Sequence, residues 1–328
     1  MSKPLIEVTN LKKYFPIHGG VFSKKVGDVK AVDDITFSIG QGEIFGLVGE
    51  SGCGKSSAGR AISNLYKPTA GKVIFDGQVI FDVQNKYFID KKKMQEMRRN
   101  IQMIFQDPFA SLDPRMSIGA IVSEGLIKHK IMGKEEALER TKELLEICGL
   151  DKSNVTKYPH EFSGGQRQRI GIARSLALNP KFIIADEPTA ALDVSIQAQV
   201  LTLMQDLKES MGLTYLFISH DLSLVRYFCD RLGIMYLGSF VEIGTAEQLF
   251  DNTMHPYSQA LLSAVPKSHP SEVKERIILE GDVPSPSNPP KGCKFHTRCP
   301  QAMPICSQVA PVMVEVEPGH TVWCHLVK

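Results

Sequence analysis

The chain of 328 residues is poor in several features, and each absence narrows its function. It has almost no excess charge: 38 basic side chains face 36 acidic ones, a formal net charge of +2. A global electrostatic pull toward nucleic acid or anionic lipid is therefore excluded. No apolar run approaches the ~18 residues that a membrane-spanning helix needs, so any membrane role must come through a partner. The opening residues, Met1 to Glu7, lack the apolar core of a secretion signal, which points to the cytosol. There is no internal repeat and no heptad run. Cysteine is sparse along most of the chain: Cys53, Cys148 and Cys229 are scattered, while Cys293, Cys299, Cys306 and Cys324 crowd the C-terminal end. Even there, the tight C-x2–4-C pairs of structural zinc sites are missing. The remaining composition, 43% hydrophobic and 23% charged, is that of a globular chain with a sizeable core. Its length suits one large domain with an appendage, or two domains.

The most informative stretch is residues 44–66. Ile44 to Val48 is an apolar run long enough for one buried strand. Gly49, Glu50, Ser51, Gly52, Cys53, Gly54, Lys55 and Ser56 then fit G-x-x-x-x-G-K-[ST], and helix-compatible residues follow from Ser57. The three glycines let the backbone curl and turn several N–H groups toward one point. A helix after them adds the positive end of its dipole. Lys55 would reach the β- and γ-phosphates of a nucleotide, and Ser56 would offer its hydroxyl to Mg²⁺.

The rest of the chain reads as α/β. Leu5 to Thr9 alternates like an edge strand, residues 16–28 read as an exposed loop, and Val29 to Ile39 reads as a second strand. Residues 72–82 predict a hairpin turning on Asp76-Gly77. Residues 84–99 read as a solvated basic helix face. Ile101 to Phe105 predicts a short buried strand, followed by Gln106, which at a strand end can touch Mg²⁺ or an attacking water. Residues 117–150 are helical by pattern, with Gly149 as a stop. Ser163, Gly164, Gly165 and Gln166 open another helix; they are either a plain cap or a second anion site. Strands at 181–187 and 213–219 end in Asp186-Glu187 and His220-Asp221. Asp186 suits Mg²⁺, and Glu187, pointing elsewhere, suits polarising a water. Residues 232–243 predict a further strand pair around Gly238. From pattern alone Tyr14 is core or surface filler.

The loop at 49–56, Gln106, Ser163 to Gln166, Asp186-Glu187, Ala191-Leu192-Asp193 and His220 occur in the order found in ABC-type ATPases, which residues 1–250 resemble. The resemblance implies a phosphate-loop ATPase core with an antiparallel β subdomain and a helical insert at about 107–175. It implies that Tyr14 stacks on adenine, that Gly49 to Ser57 hold ATP, and that Ser56, Gln106 and Asp186 hold Mg²⁺. It makes Glu187 the general base and His220 a γ-phosphate contact. It further implies a head-to-tail dimer, in which Ser163, Gly164, Gly165, Gln166 and Asp193 belong to the nucleotide site and the signature closes over ATP held by the other subunit. Phe162 stands where the family has leucine, and Ala190 where it has serine.

Residues 101–115, 255–266 and 281–293 resemble the ATPase subunits of dipeptide and oligopeptide importers, with nickel importers as close relatives. That resemblance implies a second homologous ATPase chain, two membrane permeases and an external solute-binding protein. It places the chain on the cytoplasmic face of the membrane, with no nucleic-acid partner. Residues 251–328 then form a Cys-rich extension in which the prolines make 283–291 extended. The spacing C-x5-C-x6-C-x17-C leaves an iron–sulfur cluster, zinc (with His296, His320 or His325) and free thiols all open. Resemblance to the importer tail implies a [4Fe–4S] cluster on Cys293, Cys299, Cys306 and Cys324.

Overall fold

The computed structural model describes residues 3–20, 23–265 and 276–327, which pack as two compact units. One comprises Met1–Ile89 with Ser219–Lys328, and the other Asp90–Ile218. Among the described residues no helix is long and apolar enough to cross a membrane.

The first unit begins with β1 (Pro4–Gly19), β2 (Lys24–Gly40), β3 (Ile44–Val48), α1 (Lys55–Ile62), β4 (Ala70–Phe75), β5 (Gln78–Asp82) and β6 (Tyr87–Phe88). An antiparallel sheet runs in the order β2-β1-β4-β5-β6. β1 is thus an interior strand, not the edge that its alternation suggested. Alternation reports that one face is buried and says nothing of how many neighbours a strand has. Where an exposed loop is expected at 16–28, the described residues 16–19 and 24–28 instead continue the β1–β2 ribbon, with Phe15 opposite Val29, Ile17 opposite Gly27 and His18 opposite Lys25. The far end of that ribbon has little core beneath it, Val26 being exposed, so no burial pattern marks it as strand. The β4–β5 hairpin does turn on Asp76 and Gly77, both at positive φ, as a type I′ turn requires.

The second unit holds α2 (Lys91–Asn100), β7 (Ile101–Ile104), α3 (Ile118–Lys128), α4 (Lys134–Ile147), α5 (Gly164–Leu176), β8 (Phe182–Asp186), α6 (Val194–Met211) and β9 (Thr214–Ile218). β7, β8 and β9 pair in parallel, Ile101 beside Phe182 and Asp186 beside Ile218. Every residue of β8 and β9 is buried, as expected of parallel strands covered on both faces. The basic helix α2 is capped by the Asp90 carboxylate, which accepts from the N–H groups of Lys92 and Lys93, and it buries Met94 and Met97, one turn apart. α3, α4 and α5 pack on one another. Gly149 ends the α4 segment at φ 72°.

The chain returns to the first unit through α7 (Leu222–Phe228), β10 (Arg231–Tyr236), β11 (Ser239–Thr245), α8 (Ala246–Asp251), α9 (Pro256–Ser263), β12 (Val314–Glu317) and β13 (His320–Val322). β10 lies parallel to β3, and β11 carries β13 antiparallel on its far side. Residues 283–291 are not simply extended: the Asn288 N–H donates to the Ser285 carbonyl and closes a turn. Pro286 at the second position presets that turn, a role that proline plays as readily as extension.

Candidate functional site

In the first unit, the buried strand β3 delivers the chain into the glycine loop. Gly49 leaves the strand at φ 149°, where a Cβ would lie 2.3 Å from the Met235 carbonyl oxygen. Gly54 sits at φ 109°, where a Cβ would lie 1.9 Å from the Ala31 carbonyl. Both positions demand glycine, and Gly54 then caps α1 without a side chain of its own. The Lys55 ammonium is buried and lies back over the loop, donating to the carbonyls of Gly49 (2.7 Å) and Glu50 (3.1 Å). Ser51 is exposed, and Ser56 and Ser57 are half-buried on the first turn of α1. Burial raises the pKa of the Cys53 thiol. Tyr14 is half-buried; its hydroxyl donates to the Asp33 carboxylate, and the Lys30 ammonium stands 5.9 Å from its ring centre. His220 is exposed just ahead of α7, whose N-terminus Asp221 caps.

In the second unit, Asp186 ends β8 as a fully buried carboxylate. Glu187 follows at φ 48°, a left-handed conformation that a glutamate adopts only under constraint. The constraint is visible: its N–H donates to the Ile218 carbonyl at the end of β9 (2.9 Å). The twist turns its carboxylate to Gln106, whose Nε2 donates to it at 3.0 Å. The structure thus brings together two residues 81 positions apart that the sequence could only pair by resemblance. Ser163 and Gln166 form a reciprocal cap on α5: the Ser163 Oγ accepts from the Gln166 N–H, and the Gln166 side chain accepts from the Ser163 N–H. Gly165 is needed because a Cβ there would meet Ile196 at 2.5 Å, while Gly164 faces Leu192 at van der Waals distance. Asp193 caps α6. Hydrogen bonds from the Ser195 hydroxyl and the Ile196 N–H hold its carboxyl below the usual range.

The four C-terminal thiols gather in one neighbourhood. Burial, with a smaller push from the Cys306, Cys324 and Cys299 thiols beside it, raises the Cys293 thiol to about 11. The Cys293 N–H donates to the Cys306 carbonyl, and Gly292 at φ 68° permits that approach, since a Cβ there would lie 2.4 Å from the same carbonyl. All four are free thiols. Their donor chemistry suits a metal cluster, yet among the described residues no three His, Cys, Asp or Glu side chains form a ready metal-holding group. The histidines that kept zinc open are committed elsewhere. His296 contacts the Cys293 carbonyl, His320 the buried Glu242 carboxylate, and His325 the Val309 carbonyl.

Sequence reasoning missed the residues that hold the loop from the C-terminal region. Arg298 forms a two-pronged ion pair with Glu50, and the Tyr257 hydroxyl accepts the Glu50 N–H at 3.0 Å. Lys294 donates to Asp33, Ser239 and the Leu237 carbonyl, while the Gly238 N–H donates to the Cys53 carbonyl. A charged residue beside each of two clustered cysteines was the available signal.

A glycine loop between a buried strand and a helix, with a carboxylate pair at the tip of a parallel strand, defines a phosphate-loop ATPase. The ABC transporter family pattern matches residues 32–190, and that of the oligopeptide/dipeptide transporter C-terminal region matches residues 241–306. The chain belongs to the ABC transporter family, in the branch that carries this C-terminal region; it is an ATPase that uses ATP and Mg²⁺. It is 56% identical to the oligopeptide transport ATP-binding protein AppF of Bacillus subtilis, over 99% of this chain and 98% of that one. It is 50% identical to a putative peptide import ATP-binding protein of Brucella ovis, over 98% and 97%. Among solved structures, the ATP-binding cassette MJ0796, as a post-hydrolysis dimer bound to ADP and Pi, superposes with a TM-score of 0.63 at 30% identity, over 74% of this chain and 98% of that one.

Proposed function

We propose that this protein is the energy-coupling subunit of a membrane peptide importer, hydrolysing ATP to drive two permease subunits. The observation that carries the reading is the near end-to-end relation to AppF, which includes the phosphate loop and the C-terminal region alike. In this reading Gly49 to Ser57 bind the triphosphate, with Lys55 on its terminal phosphates and Tyr14 against the adenine. Ser56, Gln106 and Asp186 would hold Mg²⁺, which supplies charge neutralisation on the phosphates. The buried carboxylate of Asp186 and the amide of Gln106 are oxygen donors of the kind that ion takes. Glu187 serves as general base, held in a reactive orientation by its left-handed backbone and by Gln106. His220 contacts the γ-phosphate.

A second ATPase chain, homologous rather than identical, completes the site with its own counterparts of Ser163 to Gln166 and Asp193. The dimer works on the cytoplasmic face of the membrane, supplied by an external solute-binding protein. The convergence of Cys293, Cys299, Cys306 and Cys324 supports an iron–sulfur cluster as the occupant of the tail, ahead of zinc.

Replacing the base tests the catalytic assignment. Glu187→Gln should bind ATP as tightly as the parent while its turnover falls by about a hundredfold or more. Turnover within twofold of the parent refutes the assignment.

A further inference from the structure

We infer that Arg298 is a positioning residue for nucleotide binding: it holds the Glu50 carboxylate out of the anion cradle that residues 49–56 form. The inference rests on the assignment of that loop as the nucleotide site and adds a residue more than two hundred positions away from it.

Glu50 is the second residue of a loop whose N–H groups must face phosphate. Its carboxylate is the wrong charge for that place. Turned inward, it would compete for the same N–H groups and repel the triphosphate. It is instead held by Arg298 of the C-terminal region, while a second residue there takes its backbone N–H. The Arg298 guanidinium takes both carboxylate oxygens, at 2.9 and 3.3 Å, in the fork geometry that arginine alone provides. The Arg298 side chain is 8% exposed, and its guanidinium lies 5.9 Å from the Tyr236 ring centre, so the fork is fixed by its surroundings. Its own backbone is tied down by the Arg298 N–H to the Phe295 carbonyl. The second residue is Tyr257, fully buried, whose hydroxyl accepts the Glu50 N–H. That N–H is thereby committed to protein, as is the Cys53 N–H, which donates to the Glu50 carbonyl at 3.2 Å. Arg298 and Tyr257 both fall inside the matched region at 241–306.

The test uses the full chain, a fluorescent ATP analogue for affinity, and steady-state hydrolysis. Arg298→Gln should raise the Kd for the analogue and the KM for ATP about tenfold, with kcat within twofold. Adding Glu50→Gln to that variant should recover most of the loss, because no carboxylate then remains to be restrained. A defect in tail folding would not be repaired that way. Arg298→Lys, which keeps the charge and loses the fork, should fall between parent and Arg298→Gln. It carries the test if Arg298→Gln does not accumulate as folded protein. A Kd within twofold of the parent in the single variants, or a loss that Glu50→Gln fails to relieve, overturns the inference. Lys55→Ala separates the two claims. If it binds the analogue as tightly as the parent, the loop assignment fails, whatever Arg298 does.

Discussion

The His255 imidazole, at the head of α9, shows how a single residue couples solvent conditions to the loop. It is buried, and its Nδ1 accepts the Tyr257 N–H, a bond that only the neutral ring can make. Burial lowers its pKa to about 4, the nearby Glu242 carboxylate offsetting part of the shift. An unfolded chain takes up this proton below about 6.5, whereas the folded one refuses it until about 4. The stability tied to His255 is therefore complete above pH ~6.5 and drains away as the pH falls toward 4. Urea unfolding at pH 7.5 and 4.5 should show the parent losing about 2 kcal/mol more than His255→Gln between the two. Equal losses would remove His255 as the cause. None of this is written in the motif His255-Pro-Tyr257, because the spacing of three residues does not say which of them is dry. Glu187 teaches the converse: its identity at a strand tip was readable, but the left-handed backbone that aims it depends on a bond to Ile218 in another strand.

At the scale of elements, legibility tracked burial. The runs that became β3, β8 and β9 are apolar or aromatic but for Asp186 and Thr214 at strand ends, and at that length buried strand fits them best. The β1–β2 ribbon was misread because its distal half has water on both faces and so no alternation to detect. The tail was the least legible element, since Cys293 to Cys324 fold mostly without regular structure and their order in the chain does not encode which of them meet. Gly292 is the one local sign that Cys293 must lie close against other backbone. If the cluster assignment is right, protein purified without oxygen is brown, with a broad visible absorption that bleaches on exposure to air. It should also carry iron in proportion to its four tail thiols. A colourless preparation holding one zinc per chain would falsify it.

For the whole molecule, the signature at Ser163 to Gln166 has a consequence in solution. Its side chains are satisfied by capping α5, so what it has left to offer a phosphate is the N-terminus of that helix. A dimer in which each chain completes the other's site predicts ligand-dependent association. Glu187→Gln mixed with the second ATPase chain proposed above should sediment at the combined mass with ATP and Mg²⁺, and separately with ADP. Two separate species under both conditions would rule out this mode of assembly. The ion pair of Arg298 with Glu50 also bears on biosynthesis. The two residues are 248 positions apart, so the ribosome finishes the glycine loop long before it makes the residue that restrains it. At typical rates of synthesis that interval lasts roughly 10–50 s. During it the nascent chain carries Glu50 without the Arg298 guanidinium, and by this inference tight nucleotide binding waits until that end of the chain has left the ribosome and folded.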